Sequence, residues 1–383
     1  MATQAIDQGK AADGAVSLCK RCSKNEATTN IRSEPVCLQC FTYYVNTKAI
    51  KRLETYKDRN RKSEAKRYLL PLSFGASSTS LLYILDEQLR KQSERMGRTS
   101  YELIVVHVDL EFEDAAASEK NSLVWKAVQD RFPKHTYVEV SIADALDIKS
   151  IDWLSLGLTV DEQLPPKDRL ANLLKSISTA TSRSDIASTL LTRLLVSVAE
   201  KNSCGSILFG DSTTRLAEKT LTETAKGRGF SLPWQVSDGT SPFGDNLSFN
   251  YPMRDLLKKE LVAFTQLTSP PLSDIVIPVN TKSALSASSK STTIDDLMTQ
   301  YFESVEENYP SIVANVVRTS SKLKTPEVND GTECTLCGIP VAEGTDGIDG
   351  WSGEQSSSAA QPVKEVNGQR PILCYGCARS ING

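Results

Sequence analysis

The chain of 383 residues is long enough to bury one large core together with smaller modules. Its 44 Lys and Arg residues nearly balance 47 Asp and Glu residues, so the net charge of −3 means that any basic surface must be local. Segment 1–17 is polar and lacks the apolar region of a secretory signal, and no stretch reaches the ~18 apolar residues of a membrane span. We therefore predict a flexible leader at 1–17, no membrane partner and an intracellular protein whose thiols stay reduced.

Eight of the nine cysteines form four Cys-x-x-Cys pairs. The pairs are Cys19/Cys22, Cys37/Cys40, Cys334/Cys337 and Cys374/Cys377. In a reducing compartment, thiolates at this spacing favour tetrahedral four-cysteine zinc sites over disulfides. We predict one zinc module at 18–41, where the metal must hold so short a segment together, and a second at 326–383 with a disordered insertion at 341–362. The ninth cysteine, Cys204, precedes an apolar run and is predicted to be an inert core thiol.

Segment 42–67 is predicted to be a helix, and it carries a cluster of positive charge. Its basic residues are Lys48, Lys51, Arg52, Lys57, Arg59, Arg61, Lys62, Lys66 and Arg67. One interpretation of this pattern is a solvated helix face. The other is contact with the phosphate backbone of a nucleic acid, with Tyr43, Tyr44 and Tyr56 as stacking groups. The neighbouring zinc module favours the second interpretation.

Residues 68–280 are predicted to form an α/β domain with a doubly wound, mostly parallel sheet. Apolar runs at 68–72, 101–109 and 136–140 alternate with helical patterns, which gives the order β-α-β-α-β. Further predicted elements are a helix over 186–201, a strand over 205–210, a helix capped by Asp211 or Ser212, and a helix over 252–267.

The domain is predicted to be followed by a helical extension. Segment 281–293 is rich in Ser and Thr and indicates a linker, and residues 294–325 form the extension, with a helix at about 294–317.

A turn of small residues lies between the first strand and the first helix of this domain. Its residues are Ser73, Phe74, Gly75, Ala76, Ser77 and Ser78. A strand, a tight turn and a helix N-terminus form a natural phosphate cradle, at the edge of a parallel sheet where ligands bind. This turn has one glycine, no lysine and no carboxylate. The sequence therefore indicates a nucleotide loop that has lost its chemistry.

The order of these features resembles the tRNA 2-thiolation family of PP-loop ATP pyrophosphatases, also called adenine-nucleotide α-hydrolases, over about residues 18–380. The resemblance implies a sheet of the PP-loop type flanked by the two four-cysteine zinc modules. Catalytic members carry Ser-Gly-Gly-x-Asp-Ser at the positions of residues 73–78. Here Phe74 replaces a glycine that lets backbone amides close on pyrophosphate, and Ser77 replaces an aspartate expected to help position Mg²⁺.

Two further elements of the catalytic members are altered. The motif Gly-His-Asn-Ala-Asp-Asp-x-Ala-Glu-Thr falls on residues 210–219, where Thr214 and Arg215 replace the two acidic positions. The retained scaffold positions are Gly210, Ala217 and Glu218. The three core cysteines that handle sulfur or hold an iron–sulfur cluster fall on Ser184, Ala187 and Asn250. None of these three can replace a thiolate.

The chain is most similar to the non-catalytic members of this family. The resemblance implies a subunit of a heteromeric tRNA thiolase that 2-thiolates the wobble uridine of tRNAs for Lys, Glu and Gln, on the route to 5-methoxycarbonylmethyl-2-thiouridine. A catalytic PP-loop paralogue would be its heterodimer partner and would hold ATP and magnesium. Sulfur would come from a thiocarboxylated ubiquitin-related modifier. This chain would add a cytoplasmic tRNA-binding surface.

Two alternatives stay open from the sequence. One is an active PP-loop enzyme with an altered loop, in which the hydroxyls of Ser77 and Ser78 support nucleotide binding. The other is a zinc-module adaptor that binds other RNA or proteins. The two histidines, His107 and His135, are predicted to be structural rather than ligands, because the four-cysteine sites are already complete.

Overall fold

The computed structural model describes most of the chain. The described residues are 17–56, 66–110, 115–158, 160–244, 246–278, 292–325, 332–341 and 371–382. Within them, no helix is both long enough and apolar enough to cross a bilayer.

The strands form one small hairpin and one large sheet. They are β1 (Thr29–Ile31), β2 (Glu34–Val36), β3 (Lys66–Pro71), β4 (Tyr101–Asp109), β5 (Thr136–Ser141), β6 (Ser206–Leu208), β7 (Gly239–Thr240) and β8 (Ser248–Asn250). Strands β1 and β2 pair antiparallel. The large sheet has the order β5-β4-β3-β6-β8-β7, and all its neighbours are parallel except β7 and β8. This confirms the predicted doubly wound, mostly parallel sheet.

Helices follow most strands. They are α1 (Leu38–Thr55), α2 (Ala76–Met96), α3 (Ala115–Arg131), α4 (Pro166–Ser176), α5 (Ala180–Lys201), α6 (Thr213–Ala225), α7 (Leu232–Val236), α8 (Lys258–Leu267), α9 (Ile294–Asn308), α10 (Pro310–Ser320) and α11 (Tyr375–Asn382). Short 3-10 turns occur at Ile142–Asp147, Gly229–Ser231 and Ser273–Ile275. The side chain of Ser212 caps α6 by accepting a hydrogen bond from the Arg215 amide, as one of the two predicted caps.

The alternating side chains of β3 and β4 divide the core into two layers. Tyr68 and Leu70 belong to one layer with residues of α1, α2 and α8, whereas Leu69 and Val106 belong to the other with residues of α5, α6 and α10. Both faces of the sheet are therefore buried, which explains why these strands are continuous apolar runs rather than alternating ones.

The helix predicted over 42–67 is wrong in its extent. Helix α1 begins at Leu38 and ends at Thr55, and Lys66 and Arg67 already belong to strand β3. In β3, Lys66 pairs with Tyr101 and Arg67 pairs with Glu102, at the start of β4. Four of the predicted basic residues lie outside the described residues; they are Lys57, Arg59, Arg61 and Lys62.

Two other predicted helices also have different bounds. Helix α8 begins at Lys258 rather than at residue 252, because the carboxylate of Glu260 caps the amide of Leu257. The helix predicted at about 294–317 is two helices, α9 and α10, which meet at Pro310. A proline ring has no N–H to continue the preceding helix. The predicted leader, most of the linker and nearly all of the insertion lie outside the described residues.

A buried charge network attaches α11 to the body of the fold. Asp185 on α5 accepts hydrogen bonds from the Lys226 ammonium at 2.6 Å, the Arg228 guanidinium at 3.0 Å and the Ser380 hydroxyl at 3.1 Å. The side chains of Asp185 and Lys226 are only 7% and 6% exposed. Buried ions are tolerated only when they are paired in this way, so Asp185 holds two cations together.

We expect Asp185→Ala to lower the free energy of unfolding by about 2–3 kcal/mol, because it removes the carboxylate that two buried cations share. Lys226 keeps its ion pair with Asp295 at 2.7 Å, whereas Arg228 keeps a longer one with Glu223 at 3.8 Å. The measurement is a urea titration in the presence of zinc. Glu102→Ala is the matched control, since it breaks an ion pair with Arg67 in which both side chains are about half exposed, and its effect should stay below about 1 kcal/mol. Equal effects of the two substitutions would contradict the prediction.

Candidate metal centres and the remnant of a nucleotide loop

The N-terminal cysteines converge between the β1–β2 hairpin and the start of α1. Cys19 and Cys22 lie in the turn before β1, Cys37 is the N-cap of α1, and Cys40 lies in its first turn. The four Sγ atoms all lie within 4.8 Å of one another, and those of Cys22 and Cys37 are 3.8 Å apart. Burial opposes ionisation of Cys19, but backbone N–H donors outweigh it and lower the pKa of this thiol to about 6.

The C-terminal cysteines form a second group of the same kind. Cys334 and Cys337 lie in a turn. Cys374 immediately precedes α11, and Cys377 lies in the first turn of that helix. Their Sγ atoms also lie within 4.8 Å of one another, and those of Cys337 and Cys374 are 3.8 Å apart. All four are buried. Both predicted sets of four cysteines are therefore brought together.

Both groups fit a single tetrahedral metal ion. Four thiolates at the zinc–sulfur distance of about 2.3 Å stand about 3.8 Å apart at the corners of a tetrahedron. The thiolates around a four-iron cluster must stand farther apart, because each binds a different iron and the cluster lies between them. The observed distances of 3.8 Å match the single ion.

The turn from Ser73 to Ser78, predicted to be a degenerate nucleotide loop, lies between β3 and α2. Phe74 has φ of 56°, in the left-handed region that favours glycine, and its ring is almost fully buried. The ring centroid lies 4.3 Å from that of His107 and 6.3 Å from that of Trp125. The residue at the position of a phosphate-binding glycine is therefore part of an aromatic core cluster.

The hydroxyls of this turn bond to the turn itself. The Oγ atoms of Ser73 and Ser78 are 3.2 Å apart, and the Ser78 hydroxyl also donates to the carbonyl of Gly75 at 3.2 Å. Gly210, after β6, packs so closely that a Cβ there would come within 2.7 Å of the Ser78 Cα. The retained glycine is thus explained by contact between the turn and the end of β6.

The second altered motif joins α6 to α9. The Thr214 hydroxyl donates to Glu306 of α9 at 2.8 Å, and the backbone amide of Lys258 donates to Thr214 at 3.0 Å. Arg215 donates to the buried carboxylate of Glu218 at 3.0 Å. Burial raises the pKa of Glu218 although Arg215 opposes the shift. Both substituted positions therefore form structural contacts.

The positions of the three core cysteines of catalytic relatives also have structural partners here. The Ser184 hydroxyl lies 3.4 Å from an oxygen of Asp295, and Ala187 lies on the next turn of the same helix. The buried amide of Asn250 donates to the Ser206 hydroxyl at 2.7 Å. Cys204 is buried, and burial raises its pKa to about 11, so it remains a thiol at neutral pH as the prediction of an inert core cysteine requires.

The basic residues predicted to contact tRNA divide into two places. Lys48, Lys51 and Arg52 lie on α1, whereas Lys66 and Arg67 lie on β3. Arg52 forms an ion pair with Asp238 at 3.0 Å, and Arg67 forms one with Glu102 at 2.8 Å. The exposed cations on α1 are therefore Lys48 and Lys51.

One basic residue near this surface was missed by sequence reasoning. The guanidinium of Arg21 lies 4.8 Å from the centroid of the Tyr44 ring, between α1 and the first metal centre, and forms a partly exposed ion pair with Glu34 at 3.4 Å. Arg21 lies in the cysteine turn, outside the charge cluster, and only the fold brings it to α1. No local pattern in the sequence signals that contact.

Known proteins similar to this chain belong to the tRNA 2-thiolation family that its sequence resembles. A family model described as "Cytoplasmic tRNA 2-thiolation protein 2" matches residues 293–379. A protein of that name from Sclerotinia sclerotiorum is 56% identical over 78% of this chain and 80% of its own length. One from Phaeosphaeria nodorum is 47% identical over 97% of both chains.

A solved structure shares the fold. The U34-tRNA thiolase NcsA from Methanococcus maripaludis, solved with its [4Fe-4S] cluster, superposes with a TM-score of 0.57 at 16% identity, over 85% of this chain and 92% of that one. This likeness supports the predicted PP-loop type of sheet. The two relatives that match most of its length establish that the chain belongs to the cytoplasmic tRNA 2-thiolation protein 2 family.

Proposed function

We propose that this chain is a non-catalytic subunit of the cytoplasmic thiolase that converts the wobble uridine of tRNAs for Lys, Glu and Gln to its 2-thio form. The observation that carries the proposal is the turn from Ser73 to Ser78. We expect a catalytic thiolase to bind ATP at this turn, yet here the hydroxyls of Ser73 and Ser78 bond within the turn and Phe74 is buried. Phosphoryl chemistry depends on charges placed around the phosphates, and this turn contains no charged side chain.

Because this turn has no charged side chain, the proposal places the catalytic groups on a partner protein. In this proposal a catalytic PP-loop paralogue forms a heterodimer with this chain and binds ATP and magnesium. A thiocarboxylated ubiquitin-related modifier delivers the sulfur to that partner. This chain contributes tRNA-binding surface on α1 and beside the first metal centre, where Lys48, Lys51 and Arg21 lie.

Zinc is the metal that we propose for both cysteine groups. Four thiolates whose Sγ atoms all lie within 4.8 Å of one another, with one pair in each group at 3.8 Å, are the donor set and spacing of a closed structural zinc site. Bound zinc would fix the turn at Cys19 and Cys22 to the start of α1, and the turn at Cys334 and Cys337 to α11.

The purified chain alone should neither hydrolyse ATP nor thiolate a tRNA for Lys, because the loop has no group to position magnesium or the phosphates. The measurements are phosphate release and the mobility shift of thiolated tRNA in a mercury-containing gel. Co-purification with the catalytic paralogue should give thiolation, and the paralogue alone should give much less. Thiolation by this chain alone would overturn the non-catalytic assignment.

Nucleotide binding without turnover is a separate question that calorimetry answers. We expect no ATP binding to the chain, because Ser73, Ser78 and Gly75 already satisfy one another. If heat is released, Ser78→Ala distinguishes the two sources: lost binding would support the active-enzyme alternative with an altered loop, and unchanged binding would place the nucleotide elsewhere.

The chain should contain two zinc ions, and substitution of one cysteine in either group should remove about one of them. Cys22→Ser and Cys337→Ser are the two variants, and metal content is measured by mass spectrometry of purified protein. Cys204→Ser is the matched control, since this buried thiol stands apart from both groups and should retain both ions. Iron in place of zinc, or no metal in the wild type, would contradict the proposal.

Reversing the two exposed cations of α1, with Lys48→Glu and Lys51→Glu together, should weaken tRNA binding by about tenfold or more. Each lost phosphate contact should also reduce the slope of log affinity against log salt by about 0.9 on duplex RNA. Lys201→Glu with Lys322→Glu is the control, because both residues are exposed and lie on α5 and after α10. An unchanged salt dependence would mean that this face of α1 is only solvated.

A further inference from the structure

A groove of about 730 Å³ lies between α1 and the second half of α2. Its apolar wall includes Ile50 of α1 and Ile84 of α2, and its polar rim is formed by α2. The groove is separate from the remnant of the nucleotide loop at the start of α2. Fourteen residues separate Ser78 from Gln92 on its rim, which corresponds to about 21 Å of helix.

Tyr43 is the exposed aromatic ring of this groove. Its side chain is 72% exposed, and it also lines a neighbouring hollow of about 340 Å³ beside Arg21 and Cys40. The other two tyrosines singled out in the sequence are not available. Tyr44 is buried, and the Tyr56 hydroxyl donates to Asp238 at 2.9 Å. Tyr43 therefore offers its ring to a planar ligand at the border of two hollows.

The amides on the rim are oriented as donors. The carbonyl oxygen of Gln88 accepts a hydrogen bond from the Tyr101 hydroxyl at 3.1 Å, and that of Gln92 accepts one from the Ser100 amide at 3.0 Å. Their NH₂ groups form no hydrogen bond within the described part of the chain. Two fixed side chains thus present donors to the groove.

The charge of the rim is positive. Glu87 is the acidic residue of the groove, and it is neutralised by ion pairs with Arg90 and Lys91. Arg95 lines the groove and has no ion pair with any described residue. A ligand complementary to this groove has a flat apolar face, carbonyl acceptors at its edge and negative charge beside it.

We propose that the groove binds an unpaired nucleotide of the tRNA, with its base stacked on Tyr43. The carbonyl oxygens of the base accept hydrogen bonds from Gln88 and Gln92, and the adjacent phosphate lies near Arg95. Unpaired RNA bases are recognised in this way, by stacking on aromatic rings and by hydrogen bonds to their edges. The inference rests on the proposed function and adds a specific base-binding site to it.

The first test compares Tyr43→Ala, Tyr43→Phe and wild type for binding to an unmodified tRNA for Lys, followed by fluorescence anisotropy. Loss of one stacking contact should weaken binding about 5- to 100-fold in Tyr43→Ala, and Tyr43→Phe should bind within about twofold of wild type. Tyr309→Ala is the matched control, because Tyr309 is 61% exposed and lies between α9 and α10, away from the groove. Wild-type affinity in Tyr43→Ala overturns the inference.

The second test reports contact between the base and the ring directly. In Tyr43→Trp, a short single-stranded oligouridylate should quench the added tryptophan fluorescence, and Arg95→Glu should weaken that quenching about tenfold. Absence of quenching overturns the inference, as does quenching by an acidic peptide but not by the oligonucleotide. If charge reversal on α1 weakens tRNA binding while Tyr43→Ala does not, the base site fails and the proposed function stands. Thiolation that does not require this chain would instead reject the proposed function.

Discussion

A parallel sheet must be covered on both faces, and this chain builds each cover around one of its cysteine groups. Cys19 and Cys37 belong to the core layer of α1, α2 and α8, and Cys334 and Cys374 belong to the layer of α5 and α6. Neither group is an appendage on a linker. Metal binding at these groups would therefore be coupled to the packing of the whole domain, since each group joins a segment that covers one face of the sheet.

Phe74 and Thr214, at two positions where the sequence departs from the catalytic motifs, are favourable for structure. A non-glycine residue in the left-handed region costs roughly 1–2 kcal/mol, whereas full burial of a phenyl ring contributes about 1.5–3 kcal/mol. Phe74 thus stabilises the turn even though its φ is unfavourable. Thr214 is likewise buried, and its hydroxyl donates to Glu306. Both positions therefore belong to the packed interior of the domain.

Local patterns were sufficient for the sheet and the metal groups. The continuous apolar runs of β3 and β4 and the spacing of the cysteine pairs follow from neighbouring residues, so sequence predicts them well. Contacts between distant polar residues leave no such pattern. Asp185, Lys226 and Ser380 are far apart in the chain and become a network only when α11 docks. The length of α1 was overestimated for a related reason, because pairing with β4, and not local propensity, decides that Lys66 is in a strand.

The C-terminal extension reaches the start of α6 through one carboxylate. The family model matches residues 293–379, which begin with α9, and α9 carries Glu306 to the start of α6. This buried carboxylate lies beside Thr214. Both of its oxygens are already occupied, one by the Thr214 hydroxyl at 2.8 Å and the other by the Lys259 amide at 2.8 Å. Glu306 therefore fastens the C-terminal extension to the starts of α6 and α8, because breaking these buried hydrogen bonds would leave its carboxylate unsatisfied.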